Sequence, residues 1–413
     1  MASGDIKTAG ISSAIASEIA RLATIEMKTK VAGSPRAEYI DEQYQKGIEN
    51  LREYVERGNA LGGMVLKPYP VGNEIAIEAI PAGRFFPVDF DASLNITDCI
   101  FAELLTKGKD FLTRIERHQL QGNGYIVTNR AYTSKNKSSL GREILLESVE
   151  EWAGMAPYTV IENVEQMLFG YYRVPLANTV EPDSPLGISV YEKARGLIEQ
   201  FDRQYSRYLW EFEGAELSIY ADTSLFKKVE RRAGDIQDVL PKGKERLFKT
   251  LNLQPVNGAL METFSPEIRD EALARGMNEL LCRIEDMTGL SRGTFSNTEY
   301  DNARTATELK ILRQRSYATV ADTQKALQRC LEQLIYALDV YATLYNLAPA
   351  GEYVMAFEWD DSIIVDTGIE YQRRLQMVQA GLLKPEAFYS WYFGIPEEQA
   401  KQELPEMTEV FGG

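Results

Sequence analysis

The stretch "NARTATELKILRQRSYATVADTQKALQRCLEQLIYALDVYATLY" covers Asn302 to Tyr345. It holds neither proline nor glycine, the two residues that most readily end a helix. Leu309, Leu312, Val320, Leu327, Leu331, Leu334, Leu338, Tyr341 and Tyr345 recur at a drifting three-to-four spacing, the mark of one apolar helix face. One long helix is expected, reaching roughly 60 Å at about 1.5 Å per residue. Its stripe breaks around Gln314–Ser316, so no sustained coiled-coil heptad is present and a kink would fall there. Thr305 reads as its N-cap and Glu308, three residues on, as the capping-box partner. The polar, glycine-bearing run "GLSRGTFSNTEYDN" leads directly into it.

Upstream, the period alternates between helix and strand. Ile15, Ile19, Leu22 and Ile25 make a first helical face, over Ile15–Lys28. "SPRAEYIDEQYQKGIENLREYVERGN" opens with Ser34 as N-cap and Pro35 at the first helical position. Tyr44, Ile48, Leu51 and Val55 share one side, and "NALGG" stops the helix. From about Met64 to Thr133 the period becomes two, in short β-rich runs separated by glycine, proline and Asp/Asn turns. This predicts an antiparallel meander with one solvated face. "YYRVPLANTV" reads as a further strand.

A second long helix is expected over Ile188–Glu213. Residues 216–264 read as a loop-rich, β-leaning insertion. Between Asp222 and Lys249, eight Lys/Arg face five Asp/Glu, a local +3 in an acidic chain. Ser265 and Pro266 signal a third helix, with Glu267 favouring the positive end of its dipole, ended by Gly289. Residues 347–413 carry twelve Asp/Glu against four Lys/Arg, a net −8, and read as short helices punctuated by Gly381 and Pro385. The fold class is α+β, mainly α.

Composition narrows the function. The chain has 413 residues, 44% hydrophobic and 26% charged, with net charge −16. It can build a core. It should not grip nucleic acid over its whole surface, because phosphate neutralisation needs a basic face. No run of about 18 apolar residues is present, and the N-terminus shows no secretory pattern. Cys99, Cys282 and Cys330 are isolated, fitting single buried thiols rather than disulfides.

Catalytic equipment is sparse. His118 is the single histidine, which excludes most zinc sites and histidine-based relays. It lies in an alternating segment and reads as a structural or surface strand residue. There is no CxxC and no phosphate loop. Asp360 and Asp361 in "WDDS" are adjacent, so in a strand they would face opposite sides. No catalytic residue, metal site or cofactor is expected.

The order of these parts resembles the portal proteins of tailed bacteriophages. "NTVEPDSPLGISVYEKARGLIEQFDRQYSRYLWEF" is similar to the segment entering the family's first stem helix. "GLSRGTFS…ARTATEL" is similar to its loop and the start of its long helix. "MVQAGLLKPEAFYSWYFGIPEEQAKQEL" is similar to its C-terminal helical region. Family members usually carry more chain ahead of the helix at Ile15–Lys28. The resemblance implies a wing over 1–185, a stem helix over 186–215, a clip over 216–264 and a second stem helix over 265–289. It further implies a channel loop over 290–308, a long wing helix over 309–346 and a crown over 347–413.

It also implies a ring, twelve-fold in the virion, around a channel for double-stranded DNA. The implied partners are the terminase large subunit, head–tail adaptors, scaffold and major capsid proteins, with no membrane contact. The place is the capsid vertex of a virion made in the bacterial cytoplasm. The long helix would join a loop at the channel to the wing. Arg292, Asn297, Asn302 and Arg304 become candidates for the DNA path, with inter-subunit salt bridges as the equal alternative. The compact "KKVERR" cluster, Lys227, Lys228, Arg231 and Arg232, becomes a candidate for docking the motor or adaptors, or else a solvated basic turn. The rival functions are another phage head or tail component and, further off, a nucleic-acid-processing enzyme. The latter would need the phosphate loop or clustered carboxylates that this chain lacks.

Overall fold

In the computed structural model of the chain, the structure describes residues 6–122, 124–215, 218–222, 227–232, 235–239, 248–251, 261–264, 267–297, 306–359, 367–393 and 400–401. Helix and strand are mixed throughout, in an α+β arrangement. The chain opens with α1 (Ile11–Thr24), which buries Ile15, Ala16, Ile19, Ala20 and Ala23. It is shorter than the apolar spacing suggests. The chain turns into strand β1 (Met27–Ala32), and Ile25 is exposed.

Helix α2 (Pro35–Gly47) starts as its sequence dictates. The Ser34 hydroxyl accepts the Ala37 N–H at 3.2 Å, with Pro35 in the first turn. The single helix expected from Pro35 to Val55 is in fact two, because α3 (Leu51–Leu61) begins after a turn. A β-carbon on Gly47 would collide with the Ile77 side chain, so the helix ends where a later strand packs.

The meander follows as β2 (Gly63–Val71), β3 (Glu74–Pro81), β4 (Phe85–Phe90), β5 (Ile96–Lys107), β6 (Asp110–Gln121) and β7 (Gly124–Ser134). Next come β8 (Arg142–Ile144), β9 (Tyr158–Glu162) and β10 (Gly170–Arg173). The expected single meander is two sheets. One has the order β10-β2-β3. The other is β4-β5-β6-β7-β8, with β9 also paired to β7. Strands β8 and β9 share the outer edge of β7, at Ala131–Thr133 and Gly124–Thr128 respectively.

Helix α4 (Arg195–Gly214) begins seven residues later than expected. The Val190 N–H is taken by the Asn59 carbonyl at 2.9 Å, and Gly62 packs against the Gly187 backbone, which holds the preceding segment in a loop. Then come β11 (Ser218–Asp222), β12 (Lys227–Arg232), β13 (Asp235–Val239), β14 (Phe248–Leu251) and β15 (Met261–Phe264). Strand β11 runs parallel to β14 and antiparallel to β15, and β12 pairs with β13.

Helix α5 (Asp270–Thr288) also starts late, so Glu267 is not in its first turn. Ser265 and Pro266 lie outside the described residues. Arg269, just ahead of the helix, is drawn to Glu211 near the end of α4 by two guanidinium hydrogen bonds of 2.9 and 2.8 Å. Gly289 ends α5 at φ +74°, a left-handed conformation that glycine adopts without strain. The long helix is α6 (Ala306–Leu344), 39 residues without interruption. Strand β16 (Val354–Trp359) and helices α7 (Thr367–Gln379) and α8 (Pro385–Phe393) complete the chain. Gly381 at φ +69° and Pro385 punctuate α7 and α8 as expected. Strand β16 was not anticipated. It pairs antiparallel with β1 from Met27↔Trp359 to Ala32↔Val354.

The chain divides into two units. The first gathers Met1–Ile19, Glu56–Gly63 and Leu176–Ser316, the second Ala20–Val55, Met64–Pro175 and Tyr317–Gly413. Within the second, α6 is the spine. Val320, Leu327, Leu331, Leu334 and Leu338 are buried, joined by Cys330, Ile335, Ala337 and Ala342. Two backbone N–H groups dock on this helix, Tyr171 on Gln333 Oε1 and Glu165 on Tyr336 Oη, both at 3.0 Å. The second unit also buries a polar chain. Tyr125 Oη accepts the Leu168 N–H, so it donates to His118 Nδ1 at 2.6 Å. The other ring nitrogen, Nε2, then donates to Glu116 Oε1 at 2.7 Å. Lys67 and Arg114 complete the carboxylate at 2.8 and 2.7 Å. His118 is therefore structural.

Candidate functional site

The loop after α5 is held by its own helix. Glu285 lies in the last turn of α5, where a carboxylate opposes the helix dipole and needs another reason to be there. It is fully buried, and its partners supply that reason. Oε1 accepts the Phe295 N–H at 2.6 Å and the Ser296 N–H at 2.9 Å. Oε2 accepts the Ser296 hydroxyl at 2.7 Å and the Gly293 N–H at 3.3 Å. Gly293 adopts φ +93°, which lets the chain curl around the carboxylate. One buried anion thus collects three backbone donors and a hydroxyl, an arrangement that satisfies buried charge.

A second set of contacts ties the same loop to α6. The Ser291 N–H donates to Ser316 Oγ at 2.7 Å, and the two hydroxyls meet at 2.8 Å. Asp286 accepts Arg292 Nη2 at 2.6 Å and Nε at 3.2 Å, and also Arg315 Nη1 at 2.7 Å. These guanidinium hydrogen bonds, Arg292's above all, hold the Asp286 carboxyl below its ordinary range. Farther along, Asn297 N–H donates to Asn278 Oδ1 at 2.6 Å, and Asn278 Nδ2 returns a bond to the Asn297 carbonyl at 3.1 Å.

Of the candidate DNA-path residues, Arg292 and Asn297 therefore sit in one hydrogen-bonded loop on the end of α5. Arg292 is paired with Asp286 of the same chain, which adds a third reading to the two weighed for it. Asn302 and Arg304 lie outside the described residues, as do Thr305, Asp360 and Asp361. Sequence reasoning missed Glu285, Asp286, Arg315 and Ser316. The available signal was the pair of acids, Glu285 and Asp286, in the wrong end of a helix, one turn before Gly289.

The basic cluster occupies β12. Its register sets Lys228 opposite Asp238 and Arg232 opposite Asp235, with an irregularity at Arg231. It is thus a strand of a two-stranded ribbon rather than a turn. Among the described residues, no group of three or more His, Cys, Asp or Glu could hold a metal ion, and no helix is long and apolar enough to cross a membrane.

No curated protein matches the chain. A sequence model of the family described as phage portal protein, SPP1 Gp6-like, matches residues 36–409. That span takes in most of both units, the loop after α5 and all of α6. The chain belongs to the SPP1 Gp6-like phage portal protein family.

Proposed function

We propose that the chain is one subunit of a closed ring, twelve-fold in the virion, seated at a capsid vertex. Double-stranded DNA is packaged and ejected through its central channel. The observation that carries this is the family match over residues 36–409. Residues 1–185 and 309–346 are assigned to the wing, 186–215 and 265–289 to the stem, 216–264 to the clip, 290–308 to the channel loop and 347–413 to the crown. The role is structural rather than enzymatic.

The physics agrees. A wall that lets a polyanion slide both ways must not bind it tightly. A subunit of net charge −16 repeated around a ring makes a repulsive surface, and a few cations at a narrow point suffice to steady the duplex. Arg292, Asn297, Asn302 and Arg304 are assigned to that point, on a loop whose first half is fastened to α5. Lys227, Lys228, Arg231 and Arg232 are assigned to docking of the terminase large subunit and the head–tail adaptors. Scaffold and major capsid proteins meet the ring from the head side.

Electron microscopy of the purified chain over a wide concentration range tests the assignment, since ring closure is driven by mass action. Closed rings with a central hole are expected. A chain that stays monomeric at the highest concentrations, with scaffold protein added, would overturn it.

A further inference from the structure

Two guanidinium groups converge on one carboxylate at the base of the loop. Asp286 Oδ1 is shared between Arg292 Nε and Arg315 Nη1, while Oδ2 takes Arg292 Nη2. Two positive charges thus face one negative, and the triad keeps a net +1. The neighbouring Glu279–Arg283 pair, 3.0 Å, is balanced and leaves this surplus unchanged. Both arginines reach solvent, Arg292 at 36% and Arg315 at 57% exposure. The Asp286 carboxylate is itself 27% exposed, so an anion from solvent can reach the groups it holds. The planar guanidinium fork accepts phosphate in the geometry it offers carboxylate.

We propose that Asp286, Arg292 and Arg315 form an exchangeable phosphate site, in which the oxygens of a phosphodiester take the place of the Asp286 carboxylate on the two guanidiniums. Asp286 acts as a resident stand-in for phosphate. It pre-orients both arginines and competes with the duplex, so each contact is weak and brief. The buried Glu285 clamp does not share these partners. It holds Gly293, Phe295 and Ser296 in place while Arg292 changes its anion. The inference rests on the assignment of this loop to the DNA channel, and it adds Arg315 and Asp286 to the residues that meet the duplex.

The test uses the full chain and a fluorescent 20-base-pair duplex, with affinity read over a salt series. Asp286→Asn frees both arginines. It is expected to tighten binding about tenfold at low salt and to steepen the salt dependence. Adding Arg292→Gln and Arg315→Gln should abolish that gain. Arg315→Gln alone should lower the slope of log affinity against log salt by about one per lost phosphate contact. Unchanged binding in Asp286→Asn, or a gain that survives loss of both arginines, overturns the proposal. Should Asp286→Asn fail to fold, Arg292→Lys with Arg315→Lys keeps the charge and loses the forks. Weaker binding then supports the site, and unchanged binding sinks it. Packaging by particles carrying Arg292→Glu and Arg304→Glu reports separately on the loop's place. Normal packaging beside a retained Asp286→Asn effect discards the channel position and keeps the phosphate site. Lost packaging beside an inert Asp286→Asn discards the phosphate site alone.

Discussion

Gly170 lies against the backbone of Cys330, so close that a β-carbon added to it would collide with the Cys330 carbonyl oxygen and stand 3.0 Å from its sulfur. Strand β10 therefore rests directly on the spine helix α6. The obstacle is helix backbone rather than the end of a pliant side chain, so relief requires moving one element off the other. Gly170→Ala should cost about 3 kcal/mol, at the upper end for overpacking. Chemical denaturation of the purified chain checks this. A loss below about 0.5 kcal/mol would mean that β10 does not approach α6 this closely.

Glu285 should control the order of the loop that follows it. Replacing it with alanine strands three backbone donors and a hydroxyl, and a network of that kind costs about 2–4 kcal/mol. Glu285→Gln keeps the volume and leaves its amide oxygen for the Phe295 and Ser296 N–H groups, while its N–H₂ meets the Ser296 hydroxyl and the Gly293 N–H, so it should repair part of the loss. Hydrogen exchange at the Phe295 and Ser296 amides is the direct readout. Both amides should lose protection in Glu285→Ala and keep part of it in Glu285→Gln, while those in the middle of α6, such as Leu331 and Leu334, keep theirs in both. Protection retained at Phe295 and Ser296 in Glu285→Ala would remove Glu285 from its role as the clamp.

The single histidine makes pH a clean probe of the second unit. Burial pushes the His118 pKa below its ordinary 6.5, although the Glu116 carboxylate pulls the other way. In the unfolded chain His118 takes up a proton near 6.5. In the folded chain it resists doing so. The unfolded state therefore binds more protons below that value, and stability falls as pH drops from about 7 toward 5, by at most about 1.4 kcal/mol per unit. Burial would raise the Glu116 pKa, but Lys67, His118 and Arg114 together hold it well below 4.5. Its contribution is complete above 4.5 and is lost only in stronger acid. Denaturation at pH 7 and pH 5.5 should show the first slope in the native sequence and a much shallower one in His118→Asn. Equal slopes in both would mean that the ring is not held neutral.

Local signals carried the reading of this chain wherever structure is local. Ser34 and Pro35 open α2, Gly289 closes α5, and α6 runs uninterrupted through a stretch free of proline and glycine. The misreadings share a cause. The break after Gly47 depends on Ile77, the late start of α4 on Asn59 and Gly62, and the late start of α5 on Glu211. Strand β1 finds its partner more than 300 residues away in β16. Each of these depends on a distant partner that no short window contains. The same holds for the candidate site. Arg292 was legible as a cation beside a loop, but its carboxylate and the second arginine come from two different helices.

The basic ribbon gives the last prediction. Strand β12 carries Lys227, Lys228, Arg231 and Arg232 within six residues, in a chain whose net charge is −16. A local basic patch on an acidic protein acts mainly by steering an acidic partner, which raises the association rate at low salt and loses its effect once salt screens it. Replacing all four residues with alanine should leave the ribbon itself intact, because the backbone pairing with β13 does not depend on these side chains. On the docking role proposed for the cluster, association with the terminase large subunit should slow about tenfold at low salt and differ little at about 0.5 M salt. Stopped-flow or surface-binding kinetics over a salt series measures both limits. A variant that associates at the native rate at every salt concentration would remove this cluster from the docking surface, and a variant slowed equally at high and low salt would point to contact chemistry rather than steering.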